Sequence, residues 1–202
     1  NDMKKTCFTI SLIFIIFVCC TNRLRNEELV KTIVTEKQED NPKILPGIYQ
    51  TQEYLPLLSD KKVAIVSNQT GIINNVHLAD TLLSSGVDVV KVFCPEHGFR
   101  GTADAGAKVD NTIDEKTGLP IISLYGKNKK PLPEQMQDFD ILVFDLQDVG
   151  VRFYTYISTL HYVMEACAEA NIPVIVLDRP NPNAHYVDGW ILDTANYRSF
   201  IG

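Results

Sequence analysis

VVKVFCPEHG, residues 89–98, is the run on which the reading of this chain turns. Its first half is β-branched, aromatic and apolar, the composition that fills a buried strand. Pro95 ends the run, because proline has no N–H to give to a strand ladder. Glu96, His97 and Gly98 follow where the chain must leave the sheet. In open α/β sheets, ligands bind in the crevice outside the carboxyl ends of the strands. A carboxylic acid and an imidazole delivered there are placed for proton transfer; the plainer alternative is a polar turn with a capping Glu.

Runs of the same kind lie on both sides: KVAIVSN (62–68), PIISLYG (120–126), DILVFDL (140–146) and PVIVLD (173–178). Between them, the spacing predicts helices over 78–85, closed by Gly86, over 133–137, and over 158–170. The last carries Leu160, Val163, Met164 and Cys167 at the spacing of one helical face and stops at Asn171. An amphipathic helix disturbed by Pro56 is expected within 47–58. Residues 99–119 have no period and are expected as a long polar loop; Gly98, Gly101 and Gly106 suit positive φ or close ligand approach.

Nearly all-apolar strands alternating with helices predict an α/β fold. The expected architecture is a Rossmann-like, doubly wound, mainly parallel sheet covered on both faces. No GxGxxG follows the first strand and no GxxxxGKS/T occurs, so dinucleotide and P-loop readings lose their main support.

At 202 residues, 45% hydrophobic and 22% charged, the chain has the substance for one globular domain. A net charge of −6, with no basic cluster interleaved with aromatics, argues against nucleic acid. Lys4 and Lys5 precede the apolar run FTISLIFIIFV (8–18), which is short for a bilayer span and ends at Cys19 and Cys20. Residues 1–20 are therefore read as a signal peptide resembling a lipoprotein signal, with a plain secretory signal or an uncleaved anchor as the other readings. Residues 21–43 are a polar tether and 44–202 the domain. The expected location is the cell envelope, periplasmic or on the outer membrane, with the membrane reached only through the signal or a lipid. Of the five cysteines only Cys94 and Cys167 lie in the domain, each at a core position. Neither CxxC nor HExxH occurs, so no metal site and no cofactor are expected.

Polar residues gather at the strand exits: Asn68 and Gln69; Glu96 and His97; Tyr125; Asp145, Gln147 and Asp148; Asp178, Arg179 and Asn181. In a parallel sheet all of these share one edge, and together they specify a cleft. Asp145 and Asp178 either belong to it, cap a helix or pair with an arginine. Arg152 has a planar fork suited to a carboxylate of the protein or of a substrate. Tyr154 and Tyr156 either wall a pocket and stack on a sugar face or sit in the core. His161 is read as structural, His77 and His185 as solvated.

Six segments, SNQTG (67–71), PEHGFRG (95–101), AGAKVD (105–110), TGLPIISLYG (117–126), VFDLQDVGVRFYTYISTL (143–160) and VLDRPNP (176–182), resemble one bacterial family in the same order. It is the family of NamZ-type exo-β-N-acetylmuramidases. The resemblance implies a glycoside hydrolase that releases terminal β-1,4-linked N-acetylmuramic acid from the non-reducing end of peptidoglycan fragments during cell-wall turnover. It implies a Rossmann-like N-terminal domain, a smaller second domain beyond residue 202, and an active site between them. Its partners would be muramyl saccharides. Glu96 falls where the family's catalytic acid is expected, with His97, Asn68, Gln69, Asp145, Gln147, Arg152 and Tyr156 in segments that would line the same pocket. Arg152 or Arg100 is expected to read the lactyl carboxylate. For the second catalytic group, Asp145, Asp148, His97 and the substrate's own acetamido group all stay open. The rival reading is a catalytically silent, lipid-anchored module that binds cell-wall sugars.

Overall fold

The computed structural model describes residues 44–96, 98–101 and 112–201. The signal segment 1–20, the tether 21–43, His97, and the segment 105–110 with Gly106 lie outside the described residues. In chain order the elements are a 3-10 turn (Gly47–Tyr49), α1 (Thr51–Tyr54), a 3-10 turn (Leu55–Leu58), β1 (Lys62–Ser67), β2 (Ile72–Ile73), β3 (Val76–His77), α2 (Leu78–Ser84) and β4 (Asp88–Cys94). There follow β5 (Thr112–Ile113), β6 (Pro120–Ser123), a 3-10 turn (Pro133–Met136), β7 (Ile141–Asp145), α3 (Tyr156–Ala170), β8 (Val174–Val176) and α4 (Thr194–Tyr197).

The sheet runs β5-β6-β4-β1-β7-β8, and every pairing in it is parallel except that of β5 with β6. Counted along the chain, its parallel strands lie in the order third, second, first, fourth, fifth. That is the Rossmann winding, and its direction reverses between β1 and β7. The register there pairs Ser67 with Asp145, so the exits of β1 and β7 emerge abreast.

Alternation along the strands divides the core into two layers. Val63, Ile65, Val92, Cys94, Ile141 and Val143 pack with Ile48, Tyr54, Leu58, Leu78 and Leu82. On the other face, Ala64, Val66, Phe93, Leu142 and Phe144 pack with Met136, Phe139, Tyr156, Val163 and Cys167. Cys94 and Cys167 are buried free thiols, as core residues should be. Among the described residues no helix is long and apolar enough to cross a membrane.

Three expectations are corrected. The helix expected in 47–58 is one α turn between two 3-10 turns, because Pro56 stands at the start of the second and cannot continue an α ladder. The buried face of α3 is Tyr156, Thr159, Val163, Ala166 and Cys167, while Met164 is 51% exposed. The 99–119 stretch is not structureless: β5 pairs with β6, and Phe99 and Asp114 are buried.

Candidate functional site at the strand exits

The exits of β1 and β7 are locked together before any ligand arrives. Asn68 is fully buried. Its Nδ2 donates to the Tyr156 hydroxyl at 2.9 Å, and its Oδ1 accepts from the N–H and hydroxyl of Thr70 at 2.9 and 2.7 Å. Asp145, also fully buried, takes both ends of the Arg179 fork, Nε at 2.6 Å and Nη2 at 2.9 Å. Arg179 Nη2 further donates to the Thr70 carbonyl at 3.0 Å. Burial raises the Asp145 carboxyl above its ordinary range, and Arg179 opposes that rise. Gly71 is demanded by this crowding, since a Cβ there would lie 2.2 Å from Ser67 Oγ and 2.9 Å from Asp145 Oδ2. Of the three roles open for Asp145, the geometry gives it the arginine partner.

His77 is not solvated, contrary to the reading from sequence. It is buried, edge-on to Phe99 with ring centroids 4.4 Å apart. Its Nδ1 accepts from the Ala79 N–H at 3.3 Å, so the ring proton sits on Nε2 and donates to the Asn68 carbonyl at 2.9 Å. Burial holds its pKa below the ordinary histidine value against that backbone bond. His161 and His185 are exposed; His161 therefore has no core role.

Glu96 emerges half-buried from β4 beside Tyr125 of the β6 exit. The Glu96 charge, then desolvation and a hydrogen bond to the same carboxylate, raises the Tyr125 phenol. Arg100 does not face the cleft as a free cation, which corrects its expected role in reading a substrate carboxylate. Its Nε and Nη2 hold Asp114 at 2.6 and 2.7 Å, and its Nη1 and Nη2 hold Asp80 at 3.1 and 3.2 Å. The Arg100 bond, working against burial and aided by Thr117, brings Asp114 down to about 2. This network ties the chain after Glu96 to α2. Sequence reasoning missed Asp80 and Asp114, because no local motif marks a partner 20 or 14 residues away.

Tyr154 is half-buried and stands edge-on to buried Tyr156 with centroids 4.7 Å apart. Burial first, then Tyr154, pushes the Tyr156 phenol up to about 12. Tyr156 thus serves the core, and Tyr154 packs partly exposed against it. Gln147 Nε2 donates to the carbonyls of Asp148 and Pro180 at 2.7 and 3.1 Å. Asp148 Oδ2 accepts from the Gly150 N–H at 2.9 Å, but its Oδ1 is buried with no donor. Gln69 Oε1 is in the same condition, and among the described residues these are the buried side-chain polar atoms left without a partner.

Three predicted residues are exposed at the margin of this group. Arg152 is exposed and donates to the Trp190 carbonyl at 2.6 Å. Asp178 is exposed, and what the fold uses is its backbone carbonyl, which accepts from the Gly47 N–H at 2.6 Å. Asn181 is exposed and accepts from the Asn183 N–H at 2.9 Å. A depression of about 590 Å³ opens at the opposite edge of the sheet, beside Lys62, Asp88 and Asp140, and contains none of the candidate residues. Among the described residues no cluster of three or more His, Cys, Asp or Glu could hold a metal ion.

Comparison with known proteins finds relatives of the whole domain. Residues 63–202 match the family model described as exo-beta-N-acetylmuramidase NamZ, N-terminal. The peptidoglycan beta-N-acetylmuramidase NamZ of Bacillus subtilis (strain 168) is 46% identical over 165 residues, which is 80% of this chain and 40% of that protein. A crystal structure of a DUF1343 family protein from Bacteroides fragilis NCTC 9343 matches with a TM-score of 0.69 at 49% identity, over 80% of this chain and 41% of that one. A second from the same organism matches with a TM-score of 0.68 at 42% identity, over 77% and 40%. The chain therefore spans about two fifths of the length of these relatives.

Proposed function

The chain belongs to the NamZ exo-β-N-acetylmuramidase family, matching its N-terminal part, and from that premise we propose that it takes part in releasing terminal N-acetylmuramic acid from peptidoglycan fragments. One observation carries the reading. The two orphaned buried acceptors, Gln69 Oε1 and Asp148 Oδ1, belong to the exits of β1 and β7, which flank the reversal point of the sheet. Acceptors without donors suit a ligand rich in O–H and N–H groups, which an N-acetylated sugar is. The half-buried ring of Tyr154 adds an aromatic face nearby.

In this reading Glu96 is the general acid that protonates the glycosidic oxygen as the bond to the leaving sugar breaks. Asp145 is spent on Arg179, so Asp148 is the in-domain carboxyl with an oxygen to spare. His97, beside Glu96 in sequence, completes the proposed catalytic group. Arg152 is the remaining candidate for the lactyl carboxylate, since its fork is exposed and Arg100 is fully engaged. We also assign residues 1–20 to export, which places the domain in the cell envelope near its substrate.

The test is incubation of the chain with the MurNAc–GlcNAc disaccharide. Free N-acetylmuramic acid should appear, and Glu96→Gln should slow its release by at least about a hundredfold. The alternative is a sugar-binding module without turnover, favoured by the engagement of Asp145 with Arg179, which takes one candidate second carboxyl out of play. Saturable binding of the disaccharide with no product would favour that alternative.

A further inference from the structure

Glu96 has a neighbour that its sequence context does not reveal. Strands β4 and β6 run parallel with Cys94 opposite Ser123, and the ladder continues as Leu124 N–H donates to the Cys94 carbonyl at 2.8 Å. Glu96 and Tyr125 each stand two residues beyond the paired Cys94 and Ser123, so the register delivers them side by side. Tyr125 is fixed in the turn as its N–H donates to Ser123 Oγ at 3.3 Å. Both side chains are half-buried, in a setting where a charged acceptor and a phenol donor interact more strongly than in open water.

We propose that Tyr125 is a positioning residue for Glu96, its phenol O–H donating to one carboxylate oxygen and leaving the other turned toward the glycosidic bond. The proposal rests on the reading of Glu96 as the acid. As the Glu96 proton passes to the glycosidic oxygen and the C–O bond breaks, negative charge grows on the carboxylate. The Tyr125 hydroxyl donates into that charge and keeps its own proton throughout, a donor already in place where charge develops. The raised Tyr125 phenol agrees with such a contact. Tyr156 at the start of α3 also feels the Glu96 charge, as the least of the influences on its phenol.

Two measurements on the full chain test the proposal. The first needs no turnover: ζ-carbon NMR of labelled tyrosine, with Tyr125 assigned by its loss in Tyr125→Phe, is followed through the acid range. The Tyr125 resonance should show an inflection as Glu96 takes up its proton, and that inflection should vanish in Glu96→Gln. A wild-type resonance without an inflection, or one that persists in Glu96→Gln, overturns the pairing. The second is kinetic. Tyr125→Phe should lower kcat about tenfold with KM within about twofold, the loss of one charge-assisted hydrogen bond. It should also move the alkaline limb of the pH–rate profile upward, because the acid then holds its proton longer. A variant with wild-type kcat and pH profile overturns the positioning role. If the wild-type chain releases no muramic acid, the functional reading fails, and the NMR experiment still decides the pair.

Discussion

Asp145 and Arg179 form a fully buried carboxylate held at two points by a guanidinium that is itself 9% exposed. Removing one partner of such a pair strands the other charge in the interior, which costs about 3–5 kcal/mol. Arg179→Met should therefore lower the urea unfolding free energy by that much. A loss below about 1 kcal/mol would mean that the pair is solvated and that the switch point is open, since only exposed pairs are worth so little. The ion pair was one of the roles open for Asp145 from sequence, and the geometry selects it. Arg100 shows why residue roles are harder to read than residue positions. Its place after the β4 exit was legible, but its partners Asp80 and Asp114 lie on α2 and past β5, brought near only by the tertiary fold. A free arginine and a fully occupied one look the same in one dimension.

Helix α2 depends on an unusual N-cap. The His77 ring takes the place of the usual Ser, Asp or Asn oxygen by accepting from the Ala79 N–H. That bond needs a neutral imidazole, and burial keeps the folded value below the ordinary 6.5. Between those two values the unfolded chain binds more protons than the folded one. Stability is thus full above about 6.5 and declines as pH falls toward the folded value. His77→Asn keeps an acceptor at the cap and removes the titration, so its melting temperature should vary less than the wild type's from pH 7 to 5. Parallel pH curves for the two proteins would show that the imidazole is not buried neutral. The β-branched runs and the apolar spacing made the main-sheet strands β1, β4, β6, β7 and β8 and helices α2 and α3 legible, because periodicity reports burial directly. The pieces that were missed are short: β2 and β3 have two residues each, and a two-residue ladder leaves no period to detect. His77 was misread for a related reason. A lone histidine at the end of a two-residue strand carries no sign of which face the chain will cover.

The winding of the sheet follows from connection lengths and handedness, and it gathers Asn68, Gln69, Glu96, Tyr125, Asp145 and Asp148 on one edge. Past Arg179 the chain obeys a different rule. Val187 is 101% exposed, Trp190 92% and Ile191 96%, although a β-branched pair and an indole are residues that folding ordinarily hides. Such side chains contribute no burial energy to this domain, so their removal should leave its stability unchanged. The triple change Val187→Ser, Trp190→Ser and Ile191→Ser is expected to shift the urea unfolding free energy by no more than about 0.5 kcal/mol. Large apolar side chains exposed this close together in sequence also promote association, so the variant should stay monomeric to higher concentration in sedimentation. Trp190 is the lone tryptophan of the chain, which makes the companion measurement direct. Its emission should resemble that of free indole in water and be quenched fully by iodide. Blue-shifted, protected emission together with a large loss of stability in the triple variant would mean that residues 187–191 pack inward in solution, and that the domain buries more than its strand and helix pattern accounts for.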